Sequence, residues 1–148
     1  MDRRHIISQD DRDKLHELSA GIRRLAESLT PATEVDADFV RSIIRMRRLR
    51  DETFGASLFA DPAWDMMLDL LAAQLENRHV SVSSLCLAAA VPPTTALRWI
   101  ALMEREGVIQ READPSDRRR VNLSLDAGTT VKLIGFLKAS RSLAAPLI

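Results

Sequence analysis

Residues 114–125 read DPSDRRRVNLSL, and the fold turns on how that stretch is laid out. Pro115 suits the second position of a β-turn, and Asp114 can bend its side chain back onto the backbone that follows. A reversal is therefore predicted over 114–117. Val121, Leu123 and Leu125 then alternate with Asn122 and Ser124 as in a half-buried strand. Three consecutive arginines, Arg118, Arg119 and Arg120, fall at the tip of the resulting hairpin. Arginine keeps its charge at any working pH, and its planar fork matches phosphates and base edges. The tip is either a solvated turn or a probe.

Working back from the hairpin, Gly107 ends a predicted helix over Thr94–Glu106, and Pro92-Pro93 separates it from a short helix through Ala90, capped by Ser81 or Ser83. In the longer helix Ala96, Ile100 and Met103 make a buried stripe. Thr94, Arg98, Ala101 and Arg105 lie about 200° round from it and face outward. Two helices joined by a tight turn and followed by a hairpin make a helix-turn-helix with a wing. Small hydroxyls and arginine on the outer face suit major-groove entry, where arginine can bond guanine bidentately. The plainer reading is a row of solvent-facing residues.

The segment LRWIALMEREGVIQREADPSDRRRVNLSLDAG (97–128) resembles the recognition helix, wing and following helix start of MarR-type winged helix-turn-helix regulators. The likeness is carried by MEREG at 103–107, DPSDRR at 114–119 and LDAG at 125–128, and it extends over roughly residues 60–130. It implies that Thr94, Thr95 and Arg98 face the major groove. It also implies that Arg118 and Arg119 reach a minor groove or its phosphates, with no direction assigned to Arg120. Narrow minor grooves concentrate negative potential that arginine senses, so the tip reads as a probe. The chain departs from the family in having only some twenty residues after Gly128, in Pro146, in a double proline before the recognition helix, and in Asp126 where threonine is usual.

Towards the N-terminus, Ser8 and Asp11 resemble a capping box. Leu15, Leu18, Ile22, Leu25 and Leu29 follow at spacings of 3, 4, 3, 4, a heptad seam. This seam is expected to form a dimer interface or to pack back on its own domain. A second helix is predicted from Asp36 to about Arg50, with Phe39, Ile43 and Met46 on one face. Residues 41–50 carry five arginines and no acid, whereas 61–76 carry four acids and no base. The basic face is expected to be solvated. Residues 54–60 read as a linker docked by large apolar side chains. Asp61-Pro62 marks a helix start, with Trp64, Met67, Leu68, Leu71 and Leu75 as its buried stripe, Met66 off it and Asn77 as C-cap. Trp64, Met66 and Met67 either fill the core or line a small-molecule pocket.

With 148 residues, 46% hydrophobic and 28% charged, the chain has the size and composition of an ordinary globular domain with an appended element. Twenty-one basic and 21 acidic residues leave no net charge, so nucleic-acid affinity has to come from placement. The single cysteine, Cys86, excludes an internal disulfide and is expected to be a buried, inert thiol. His5, His16 and His79 lack metal-ligand spacing, and no metal or cofactor is expected. No nucleophile elbow, P-loop or dinucleotide fingerprint appears, so an enzyme is not expected. The N-terminus has no apolar core of a signal peptide, and the expected location is cytoplasmic.

The sequence thus predicts a mainly α, winged helix-turn-helix protein: a three-helix core plus a β-hairpin wing, with helical N- and C-terminal dimerisation elements. The expected divisions are 1–58 (dimerisation region), 59–126 (DNA-binding domain) and 127–148 (C-terminal helix and tail). The expected function is that of a homodimeric, sequence-specific regulator of transcription on double-stranded DNA, through Thr94, Thr95, Arg98, Arg105, Arg118, Arg119 and Arg120, with a small-molecule effector as a further partner. The alternative is a winged-helix adaptor that binds protein rather than DNA.

Overall fold

The computed structural model describes residues 8–29 and 34–144, without the side chains of 27–29. It divides into two compact units, Met1–Thr33 and Glu34–Ile148. The described part of the first is helix α1 (Gln9–Leu29). The capping box forms: the Asp11 N–H donates to Ser8 Oγ (3.2 Å), and the Ser8 N–H (3.1 Å) and hydroxyl (2.7 Å) donate to Asp11 Oδ2. Those bonds, the hydroxyl first, hold the Asp11 carboxyl below the usual aspartate range. Leu15, Leu18, Ile22 and Leu25 are 58–66% exposed. The Leu29 side chain lies outside the described residues.

The second unit runs α2 (Ala37–Phe54), a 3-10 turn (Ala56–Leu58), α3 (Pro62–Leu75), β1 (Val80–Ser81), α4 (Val82–Ala88), α5 (Pro93–Arg105), β2 (Ile109–Ala113), β3 (Val121–Leu125) and α6 (Ala127–Ala144). Helix α3 is its axis. Asp61 caps it, accepting from the Trp64 N–H, with Pro62 at the first position, where no N–H is needed. At its end Asn77 turns left-handed (φ 53°), which lets the Arg78 N–H reach the Ala73 carbonyl at 2.8 Å. Met66, Leu68, Leu70, Leu71, Ala72 and Ala73 are all buried, so the helix is enclosed over most of its circumference. The expected stripe is too narrow. Met66, off that stripe, is fully buried, and Trp64 and Met67 are only half-buried.

The arginine run and the acidic run find each other. Arg41 donates from Nε to Glu76 Oε1 (2.8 Å) and from Nη1 to Asp69 (3.3 Å). Asp65, only 5% exposed, receives Arg47 Nε on one oxygen (2.6 Å) and Arg48 Nη2 on the other (2.9 Å). Arg48 also bonds Asp51 (2.9 Å) and the Ala88 carbonyl (3.3 Å), while Arg50 bonds Asp51 (2.9 Å) and lies 4.4 Å over the Phe59 ring. The expected solvated face is therefore a charged seam between α2 and α3, with Arg45 alone of the five left exposed. Burying carboxylates in α3 is tolerable because each is met by a guanidinium with matching donors. The same seam places α2 with the winged-helix elements in the compact unit that begins at Glu34. Met46, expected on the face of Phe39 and Ile43, is 64% exposed, and Val40 is the residue of α2 that is fully buried. Phe54 and Leu58 are likewise exposed, at 65% and 70%, so only Phe59 anchors the expected linker.

The sheet has the order β1-β3-β2, antiparallel throughout. Strand β1, a two-residue segment, pairs Ser81 with Asn122 and Val80 with Leu123. Its arrival explains a departure in β3: Asn122 is buried (6% exposed) while Val121, beyond the reach of β1, is 39% exposed. Helices α4 and α5 meet at 108° through a turn in which Ala90 adopts φ 53°. With the core stripe Ala96, Ile100 and Met103 buried as predicted and the hairpin following, this is a winged helix-turn-helix. Asp126 caps α6, accepting from the Gly128 N–H (2.9 Å), and Leu133 and Leu137 are buried. Arg141 closes α6 onto the start of α2, bonding the Glu34 carbonyl (2.9 Å) and stacking 4.3 Å from the Phe39 ring.

Candidate nucleic-acid interface

Helix α5 begins at Pro93, whose fixed φ suits the first turn, and stops at Gly107. Gly107 takes φ 71°, so the Val108 N–H can bond the Met103 carbonyl (2.9 Å) and turn the chain into β2. A side chain with Cβ would strain that conformation. Between these stops Thr94, Arg98, Ala101 and Arg105 are all exposed and share one face, as the spacing predicts. Thr95 does not share it. It sits about 100° round from Thr94 and is half-buried. Leu97, absent from the expected set, is 49% exposed beside Thr94 and Ala101.

The wing tip is built by its aspartates. Asp114 Oδ1 accepts from the Ser116 N–H (2.8 Å) and hydroxyl (2.7 Å), and Asp117 Oδ1 accepts from the Arg119 N–H (2.9 Å). The Asp114 N–H donates to the Arg120 carbonyl (3.1 Å), closing the loop. The Ser116 bonds, with smaller help from Asn122 and the Asp117 backbone, hold the Asp114 carboxyl below its usual range. Each carboxylate thus turns one oxygen, Oδ1, onto the loop itself. Among the described residues no side chain pairs with the guanidinium of Arg118, Arg119 or Arg120, and all three are exposed. The same holds for Arg98 and Arg105.

Acids that could interrupt a positive surface are partly engaged. Glu104 forms an ion pair with Arg111 of β2, tying the wing base to α5, and Glu112 accepts from Gln110 (3.0 Å) and the Ser124 hydroxyl (3.1 Å). Glu106 stays exposed. Cys86 is half-buried against the core rather than enclosed: it sits about 100° round α4 from Leu85, which is the residue that points inward. Among the described residues no three His, Cys, Asp or Glu side chains gather to hold a metal ion, and His5 lies outside them. No single described helix is long and apolar enough to cross a membrane.

Among the clefts walled by described residues of this unit, two stand out. One, of about 650 Å³, lies between the end of α3 and the sheet, with Gln74, Arg78, His79, Glu112 and Ser124 among its walls. The other, of about 430 Å³, is walled by Trp64, Met67, Val108, Lys132 and Phe136. There Trp64 and Phe136 meet edge to face at 5.5 Å.

No family model and no curated protein matches the chain. Solved structures of the Staphylococcus aureus protein MepR are similar to it. A structure described as MepR, a transcription regulator of the multidrug efflux pump MepA, has a TM-score of 0.48 at 17% identity, covering 70% of this chain and 73% of that one. A MepR–DNA complex gives 0.46 at 17% identity (70% and 83% covered), and MepR bound to ethidium bromide gives 0.47 at 19% (72% and 74%). With TM-scores below 0.5, the fold stands on its own elements.

Proposed function

We propose that the chain is a homodimeric regulator of transcription that binds duplex DNA, with α5 in the major groove and the arginine-tipped wing on the minor groove. One observation carries this reading: five guanidiniums, on the outer face of α5 and on the wing, are exposed and unpaired among the described residues, in a protein whose other arginine cluster is neutralised by carboxylates. The resemblance of residues 97–128 to MarR-type regulators supports it. Arg98 is assigned to a guanine edge, Thr94 and Thr95 to contacts at the helix start, Arg105 to the backbone, and Arg118, Arg119 and Arg120 to the flanking groove and phosphates. The exposed ridge Leu15, Leu18, Ile22 and Leu25 supports pairing of α1 with that of a second copy.

The test is the salt dependence of binding to a mixed-sequence duplex, read by fluorescence anisotropy. A log–log slope near −0.9 for each contacted phosphate, summed over several phosphates, is the expected result. No binding at low salt overturns the DNA reading and leaves the wing as a surface for a protein partner. The cleft at Trp64, Met67 and Phe136 is the proposed place of a small-molecule effector. Compounds that raise the unfolding temperature should lose that effect in Trp64→Ala, and retention there removes the assignment.

A further inference from the structure

Leu97 stands one turn after Thr94 and one turn before Ala101, and 49% of it is exposed. It does not belong to the core, which takes Ala96, Ile100 and Met103 from the other side of α5, nor to the side chains packed against that core. A lone exposed leucine is ordinary on a protein surface. The position of this one is not, because it borders the face whose polar members are exposed. Thr94, Leu97 and Ala101 are spaced i, i+3, i+7, which sets a threonine methyl, an isobutyl group and an alanine methyl in one row along the helix. Arg98 and Arg105, themselves i, i+7, form the adjoining row, and no described side chain neutralises either.

An apolar row beside a cationic row matches one pattern on the major-groove edge. Guanine presents O6 and N7 to arginine, and thymine presents its C5-methyl to apolar groups. We propose that Leu97 is a specificity-determining residue that packs on the methyl of a thymine next to the guanine read by Arg98. The assignment rests on the DNA-binding reading above and adds to it a base that no polar side chain on this helix selects. A buried methyl is worth about four-fold in affinity.

Duplexes retained by the full chain from a random pool supply the half-site, and each thymine in it is then replaced by deoxyuridine, which lacks only the methyl. The expected result is one thymine per half-site at which the replacement weakens the wild-type protein about four-fold. That penalty should vanish in Leu97→Ala and persist in Leu97→Met, which keeps an apolar tip. If no thymine shows a penalty, or if the penalty survives in Leu97→Ala, the assignment is overturned while DNA binding stands. If no duplex is bound at all, the DNA-binding reading falls and this assignment falls with it.

Discussion

Between residues 41 and 50, four of five arginines end on a carboxylate; at the wing tip, three arginines in a row end on none. The residue type is the same and so is the crowding, but the available counter-charge differs. Helix α3 and the residue that caps its end present Asp65, Asp69 and Glu76 to α2 at the spacing the guanidiniums need. The wing has two aspartates within a few residues of its arginines, yet both turn onto backbone N–H groups. A run of like charges in a sequence therefore has no fixed meaning. What decides it is whether packing brings opposite charges to face it.

The sharpest way to break this contrast is at Asp65. Asp65→Ala leaves Arg47, whose side chain is 11% exposed, without its close partner. Its Nη2 lies 3.8 Å from Asp61, too far for a hydrogen bond. Removing one member of a buried pair costs about 3–5 kcal/mol, and thermal unfolding should register a fall of about 10 °C or more. A fall of a degree or two would mean that the seam is solvated after all.

Next comes the wing. Arg118→Ala with Arg119→Ala should leave stability within about 0.5 kcal/mol and weaken binding across all duplex sequences. The salt slope should flatten by about 0.9 for each phosphate that the variant no longer neutralises. A double variant with an unchanged slope would make the tip a solvated turn. The smallest effect is expected at Arg41, whose pairs with Glu76 and Asp69 are partly exposed. Arg41→Ala should lower stability only slightly, and less at high salt. The bond from Arg41 holds the Glu76 carboxyl below its usual range, so the pair stabilises the fold above the ordinary glutamate pKa. That contribution fades as pH falls through the lowered folded value. Wild type and Arg41→Ala should accordingly converge in urea unfolding as the solution is acidified. Curves that stay parallel would deny the pair its role.

The helix-turn-helix and wing are legible in the sequence because their signals are local. Proline at a helix start, glycine or asparagine at its end and an aspartate folded into a turn each act within a few residues. The buried stripe of α5 and its outer arginines follow from helical period alone. The consequences of distant partners are not legible in this way. Strand β1 is two residues long and carries no alternation, yet it buries Asn122. Met66 falls off the stripe by period, but α3 is enclosed from several sides. The two charge runs are visible separately, and only the packing of α2 on α3 joins them. Leu97 escapes a search for hydroxyls and arginines, although its helical phase already sets it next to Thr94.

Arg48 bridges more than a pair of helices. Its guanidinium holds Asp51 of α2, Asp65 of α3 and the Ala88 carbonyl at the end of α4, immediately before the strained turn at Ala90. In mechanical terms it is a rivet through three struts. It ties α2 and α3 to the end of α4, two residues before the left-handed turn from which α5 projects.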